Sequence, residues 1–292
     1  MKKITFAEIE FADARFSRDN LIKESKHAFR QHILSYYSRY GRHEMIWRHT
    51  TNPYHILVSE LMLQQTQVER VAIKFPEFIA AFPDFSALSA APLGEVLSSW
   101  QGMGYNRRAI ALKRCAEKVQ NEYGGILPDD IDVLKTFPGI GPATAASICA
   151  FAFNAPVVFI ETNIRRVFIY FFFSDSPFVT DNDILPLVKE TLDISNPRTW
   201  YWALMDAGAA LKKSVPNPNR KSATYSRQKP FEGSDRKIRG IILKLLVTHQ
   251  ELEEQELFNA IPEASERVSR IISSLEAEGF ILHEKNHYRM AD

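Results

Sequence analysis

Cysteine is nearly absent from this chain: Cys115 and Cys149 are the only two. Two thiols that far apart cannot build a four-cysteine zinc or iron–sulfur site, nor the disulfide framework of a small secreted domain. They read as buried apolar thiols in a reducing cytoplasm. An excess of one charge is lacking as well. Thirty-six Lys and Arg stand against 35 Asp and Glu, a formal net charge of +1, so any basic footprint for nucleic acid has to be local. Long apolar runs are missing too. A membrane span needs about 18 such residues, whereas Val167 to Phe173 is short, aromatic and reads as a core helix. Lys2 and Lys3 open the chain, but Glu8, Glu10 and Asp13 break up any signal-peptide core, and a cytoplasmic location is expected. Strand-like alternation is almost absent before residue 279, which predicts an all-α main body.

What is present is helical patterning on a 45% hydrophobic background. After an N-terminal extension over 1–27, Phe29, Ile33, Leu34 and Tyr37 recur at helical spacing up to Gly41. Asn52-Pro53 then starts a helix predicted over 54–71. Further helices are predicted over 74–81, 93–98, 107–123, 131–136, 142–153, 163–173, 183–192 and 199–211. The composition changes after Leu211. Residues 212–239 hold nine Lys or Arg against two acids, and Pro216, Pro218, Pro230 and Gly233 disfavour regular helix. This basic linker, 212–235, fits a solvated hinge and a DNA-contacting loop alike. Residues 236–292 then read as three amphipathic helices and a strand pair turning at Lys285-Asn286, the layout of a winged helix. Glu263, Glu266, Glu276 and Glu278 dilute Arg267 and Arg270 on its third helix. A DNA-binding, a protein-binding and a purely structural use therefore all stay open.

Three segments carry chemistry. In Leu134-Lys-Thr-Phe-Pro-Gly-Ile-Gly-Pro-Ala-Thr-Ala145 one helix ends at a Pro-Gly-x-Gly turn and another starts at once on Pro142. Gly139 and Gly141 allow close backbone approach, and the new helix's amides can hold a phosphate. This is a helix-hairpin-helix. Pro138, Gly139, Gly141 and Thr144 are its candidate DNA contacts. Glu161 ends an apolar run, Pro156 to Ile160, just before a helix, where an anion is electrostatically comfortable. By itself it also fits a plain helix-start acid. In Ile56-Leu-Val-Ser-Glu-Leu-Met-Leu-Gln-Gln-Thr-Gln67, Glu60 shares a helical stripe with Ile56, Leu57, Leu63, Gln64 and Gln67. An acid among aliphatic side chains is expected to have a raised pKa, which suits a proton donor.

SELMLQQTQV (59–68), SWQGMGYNRR (99–108), FPGIGPATAA (137–146) and ETNIRRV (161–167) occur in the order seen in helix-hairpin-helix glycosylases. Over residues 28–211 the chain resembles the MutY-like adenine DNA glycosylases. The resemblance implies a two-lobed, all-α helix-hairpin-helix glycosylase domain with duplex DNA between the lobes, followed here by the small α+β winged-helix domain. It makes Glu60 the acid that protonates the departing base, and Glu161 the carboxylate that stabilises the electron-poor sugar, assisted by Asn163. Arg48, Leu63 and Asp206 match positions of the base pocket, and Gln65 and Tyr105 match residues that wedge into DNA. Endonuclease III-like relatives carry a lyase Lys in the hairpin. Ala143 stands there in this chain, which implies a monofunctional enzyme.

Three departures from the family stand out. Glu161 replaces an Asp. The cysteines of the family's [4Fe–4S] loop are replaced by KKSVPNPNRKSATYSRQKPF, whose Lys212 and Lys213 can supply basic contacts in its place. The winged helix stands where relatives carry their 8-oxoguanine-reading domain. No metal or organic cofactor is expected, although the family's hairpin can hold a monovalent cation through backbone carbonyls. The expected partner is double-stranded DNA with a mismatch or lesion, bound by a monomer with no membrane attachment. Adenine opposite guanine or 8-oxoguanine is the target the resemblance favours. A glycosylase for uracil, thymine or a modified pyrimidine, and a non-catalytic lesion-binding protein, are the alternatives.

Overall fold

The computed structural model describes residues 23–226 and 232–291. The expected N-terminal extension therefore lies outside the described residues up to 22, as does the part of the basic linker at 227–231. Helices α1 (Lys23–Tyr40), α2 (Pro53–Leu63), α3 (Val68–Ala81), α4 (Phe85–Ala90), α5 (Leu93–Ser99) and α6 (Arg107–Tyr123) come first. They are followed by α7 (Ile131–Leu134), α8 (Pro142–Phe153), α9 (Thr162–Phe172), α10 (Asp181–Thr191) and α11 (Pro197–Ser214). The C-terminal part holds α12 (Asp235–His249), β1 (Glu251–Glu253), α13 (Glu254–Asn259), α14 (Ser265–Ala277), β2 (Ile281–Glu284) and β3 (His287–Met290). The chain is thus mostly helical, with one small antiparallel sheet of order β1-β3-β2. Among the described residues no helix is long and apolar enough to cross a membrane.

The chain forms two compact units, each assembled from separate stretches. The first takes its described residues from 1–56, 129–135 and 140–227, the second from 57–128, 136–139 and 228–292. In the first, the spacing of α1 buries Phe29, Ile33, Tyr36 and Tyr37. The Phe29 ring packs against Phe168, Phe171 and Phe172 of α9 and Trp200 of α11, with centroids 5.0–5.8 Å away. The apolar run at 167–173 is therefore a core helix, as its aromatic content predicts. Arg30 donates to the Thr191 and Leu192 carbonyls that α10 leaves without helical partners (2.7 and 2.6 Å). Arg198 does the same for Phe151 and Ala152 at the end of α8 (2.6 and 3.0 Å).

In the second unit, α6 buries Ala109, Leu112, Cys115, Ala116 and Val119 and stops at Gly124, which takes the left-handed conformation of a helix C-terminus (φ 59°). In the C-terminal part, Ile238, Ile242 and Leu246 of α12, Val268, Ile271, Ile272 and Leu275 of α14, and Phe280, Ile281 and Tyr288 are buried. The turn at Lys285 (φ 47°) and Asn286 (φ 69°) has both central residues left-handed, as a tight hairpin requires. Strand β1 and helix α4, three and six residues long, are additions to what periodicity predicted. Both are too short to show a period.

The main correction concerns the helix predicted over 54–71. It breaks after Leu63, Gln65 turns left-handed (φ 55°), and Gln67 becomes the N-cap of α3. Gln67 therefore leaves the Glu60 stripe. The agent of the break is Arg108, described below.

Gly208 marks the crossing of α9 and α11. A Cβ there would overlap the Asn163 carbonyl and come within 2.7 Å of the Asn163 Cβ. Gly208→Ala is expected to cost about 1–3 kcal/mol through overpacking, a fall of roughly 3–10 °C in melting temperature. A thermal melt unchanged from wild type would show that the two helices are free to separate.

Candidate functional site

In the second unit Glu60 sits half-buried on α2, its neighbours Leu57, Val58, Ser59, Leu61 and Met62 all buried. Leu63, also half-buried, ends the helix. The last carbonyls of a helix need outside donors, and one guanidinium supplies them here. Arg108 Nη1 donates to the carbonyls of Leu61 (2.9 Å), Met62 (2.9 Å) and Gln64 (2.5 Å). Its Nη2 donates to Thr66 Oγ1 (2.9 Å) and to the carbonyls of Met103 (3.2 Å) and Gly104 (3.0 Å). One planar fork thus joins the turn carrying Gln65 to the loop carrying Tyr105, a geometry that Lys cannot reproduce. Burial pulls the Arg108 pKa down to about 10, and it stays cationic at neutral pH.

The two turns share an unusual backbone. Gln65 is exposed, and both it (φ 55°) and Tyr105 (φ 50°) occupy the left-handed region that non-glycine residues rarely adopt. Backbone strain of this kind persists where surrounding contacts hold it, often at functional sites. The Arg108 guanidinium also lies over the rings of Trp100 and Tyr105, at 5.5 and 5.3 Å.

The hairpin between α7 and α8 has the local form its sequence predicts. Asp130 caps α7 by accepting from the Asp132 and Val133 amides (2.7 and 3.0 Å). Gly139 has φ +72°, and a Cβ on it would press to 2.8 Å from the Ala111 Cβ. Gly141 is the N-cap of α8 with Pro142 following, and nothing lies within 4 Å of where its Cβ would be. Its lack of a side chain answers no need inside the protein. Gly139, Gly141, Pro142 and Ala143 are exposed, and Pro138 and Thr144 partly so.

In the first unit Glu161 is the N-cap of α9. Its Oε1 accepts from the amides of Asn163 (2.7 Å) and Ile164 (2.9 Å), and its Oε2 from Asn163 Nδ2 (3.3 Å). Asn163 Oδ1 in turn accepts from Arg166 (2.6 Å), which is buried and also donates to the Gly208 carbonyl (2.6 Å) and to Asn217 (3.1 Å). The helix start is thus locked by groups from three segments, two of them through side chains and the third through the Gly208 carbonyl. Burial raises the Glu161 pKa, and the two amides and the charges of Arg166 and Arg165 only partly offset it. The helix N-terminus welcomes the anion as its sequence position predicts, but desolvation outweighs it.

Also in the first unit, Arg48 and Asp206 form a buried bidentate pair (2.8 and 2.8 Å). Arg42 completes it through its amide (2.8 Å), its Nε (2.7 Å) and its Nη2 (2.6 Å). Burial works to raise the Asp206 pKa, but the Arg48 hydrogen bonds and charge, followed by those of Arg42, bring it below the ordinary carboxylate value. Arg48 lies over the Tyr37 and Trp202 rings at 5.8 and 5.5 Å. Two arginines on one carboxylate leave this cluster with a net positive charge.

The basic linker divides into two parts. Lys212 and Lys213 are exposed on the last turn of α11. Lys221 is turned inward onto the Phe173 and Ser174 carbonyls (3.4 and 2.5 Å), and Asn219 is buried against the Thr162 carbonyl (2.8 Å). The start of the linker is therefore packed beside α9 and is no free hinge. The two thiols do not fit a [4Fe–4S] cluster. They lie in different units, donate to the Pro138 and Asp129 carbonyls (3.2 and 3.2 Å), and are raised by burial to about 12 and about 11. On α14, Arg267 and Arg270 are engaged by Asp235 (2.7 and 3.2 Å).

Arg108, Arg42 and Arg166 are the residues that sequence reasoning missed. Arg108 stands in the SWQGMGYNRR segment and Arg166 in the ETNIRRV segment that it singled out, and in each a pair of adjacent arginines near the start of a helix is the local signal.

Residues 58–185 match the profile of the HhH-GPD superfamily base excision DNA repair proteins. The adenine DNA glycosylase of Mycolicibacterium smegmatis is 36% identical over 234 residues, covering 73% of this chain and 78% of that protein. That of Buchnera aphidicola subsp. Baizongia pistaciae is 35% identical over 196 residues, covering 65% of this chain. The chain spans only 55% of the Buchnera protein and 47% of a Mycobacterium tuberculosis relative. Among solved structures, a thermostable thymine-DNA glycosylase superposes with TM-score 0.59 at 24% identity, over 69% of this chain and 94% of that one. By these matches, the chain belongs to the HhH-GPD superfamily of base excision DNA repair proteins and, within it, to the MutY-like adenine DNA glycosylase family.

Proposed function

We propose that this protein is a monofunctional DNA glycosylase that flips adenine, mispaired with guanine or 8-oxoguanine, out of duplex DNA and hydrolyses its N-glycosidic bond. The observation that carries the reading lies within one unit. The short helix α2 bears half-buried Glu60 and ends on the strained Gln65 turn, which Arg108 joins to the Tyr105 loop. A base inside a duplex cannot be reached without extrusion. Here a proton donor and two wedge residues share one rigid support.

The chemistry divides between two carboxyl groups. Glu60 gives its proton to a ring nitrogen of the base, and the electron pair of the C1′–N bond leaves with that base. Glu161, ionised, stabilises the positive charge that develops on the sugar, with Asn163 and Arg166 fixing its orientation. Water then adds to C1′ and loses a proton to the Glu60 carboxylate, leaving an abasic site. Two carboxyl groups in opposite protonation states are the usual answer to glycoside cleavage. The Arg48–Asp206–Arg42 cluster is assigned to base recognition, and Leu63 takes the same assignment from its sequence position alone. The amides at the start of α8, with Pro138, Gly139, Gly141 and Thr144, are assigned to the DNA backbone together with Lys212 and Lys213. Ala143 offers no amine for lyase chemistry. No iron–sulfur cluster or other cofactor enters this proposal, and the protein acts as a cytoplasmic monomer.

The test is a panel of duplexes varying both target and opposite base, read by alkaline strand scission. Release of adenine opposite guanine or 8-oxoguanine is the expected result, and base loss only from pyrimidine lesions would replace the substrate assignment. Glu60→Gln should abolish release, with duplex affinity changed less than about threefold, because it removes a proton and almost no volume. Wild-type single-turnover rates in that variant would remove Glu60 from the mechanism.

Glu161→Gln should cost several powers of ten, as loss of preorganised charge does. Glu161→Asp should be slow but less damaged, since an Asp still caps the helix while its charge retreats by one methylene. Glu161 acts ionised and its pKa is raised. Falling pH must therefore protonate it, and the rate should fall, at a higher pH than for an ordinary carboxylate. A pH–rate profile flat down to the ordinary carboxylate range would contradict this role.

A further inference from the structure

The C-terminal part of the second unit is docked at the Tyr105 loop. At the start of α6, Arg107 donates to both oxygens of Glu278 (2.6 and 2.6 Å), and Arg239 of α12 donates to the same two oxygens (2.9 and 2.6 Å). Ser274 Oγ adds a bond at 2.8 Å. Led by the Arg107 hydrogen bond, these partners pull the Glu278 pKa down to about 2 against a smaller opposing effect of burial. One carboxylate, just past the end of α14, thus bridges the two parts. One turn earlier on α12, Arg236 donates through Nη1 to Tyr105 Oη, and its guanidinium lies over the Tyr105 ring at 5.4 Å. Arg108 lies over the same ring at 5.3 Å. Tyr105 is therefore held by two cations, one from the helix that follows its loop and one from the C-terminal part, in a backbone conformation that its residue type disfavours.

We propose that Arg236 is a positioning residue for base extrusion. It fixes the Tyr105 ring as the wedge, Glu278 latches it there, and the C-terminal helices thereby belong to the extrusion device. The inference rests on the glycosylase reading above and on Tyr105 acting as the wedge. A guanidinium that both stacks on a ring and bonds its hydroxyl removes ring rotations that would otherwise compete with insertion. The winged-helix layout then acts through protein contact. Its own third-helix arginines are engaged by Asp235, which fits this use.

The test uses the full chain and a duplex carrying 2-aminopurine beside the target adenine, with extrusion read by stopped-flow fluorescence and base release by single turnover. Arg236→Met and Glu278→Gln should each slow extrusion about tenfold, while affinity for undamaged duplex and its salt dependence stay close to wild type. Arg236→Lys should recover part of the rate, and Tyr105→Phe, which removes only the hydroxyl acceptor, should show a smaller loss in the same step. Arg236→Met added to Tyr105→Ala should cost nothing further, since the two residues act as one. Wild-type extrusion in Arg236→Met, or additive losses in the double variant, would overturn the inference and leave the glycosylase reading standing. A fall in affinity with a flattened salt slope would overturn it in favour of a phosphate contact. Absence of base release by the wild-type protein from every duplex would overturn the glycosylase reading, and this inference with it.

Discussion

The constraint on which much of this structure rests is that helix ends leave carbonyls without partners, and this chain repeatedly answers it with basic side chains. Arg108 closes α2, Arg198 closes α8, Arg30 closes α10, and Lys221 takes the carbonyls just beyond α9. Lys113 reaches the Ser89 carbonyl in α4. These cations meet the negative ends of helix dipoles, and Lys113 pairs with Glu117 as well (2.8 Å). The near-balance of formal charge consequently says little about the surface. Several positive charges among the described residues are committed to backbone, and carboxylates such as Asp206 are withdrawn as well, so the sequence count does not describe the exterior. Local features, such as the amides opening α8, then carry more of any DNA contact.

The same logic explains which parts of the fold were legible in the sequence. Helices α6 and α8 begin and end where spacing, Pro142 and Gly124 place them, because their start and stop signals lie within a few residues. The hairpin was equally local. The break after Leu63 was not, because the residue that satisfies the end of α2 lies 44 to 47 positions away. Periodicity alone carried the predicted helix across the gap.

At the candidate site the division is similar. Residue types and order pointed to Glu60, Glu161, Arg48 and Asp206, but their states depend on remote partners. Arg48 and Asp206, 158 positions apart, are joined with an Arg42 that no motif flagged. Glu161 looked comfortable as an anion from its place before a helix. Its burial, which only tertiary packing decides, tips the balance the other way. The exchange of Asp for Glu is thereby given a physical setting: the longer carboxyl folds back to cap its own helix, so part of its added reach is spent on the backbone.

The joint between Arg107 and Glu278 has a temporal side. The two residues are 171 positions apart, and a ribosome adding about 5–20 residues per second needs about 9–34 s to travel from one to the other. Throughout that interval the nascent chain already contains the Tyr105 loop but not the carboxylate that braces it. Residues 57–128 of the second unit therefore leave the ribosome before their C-terminal partner exists. The joint itself is therefore among the last contacts of this unit that can form during synthesis.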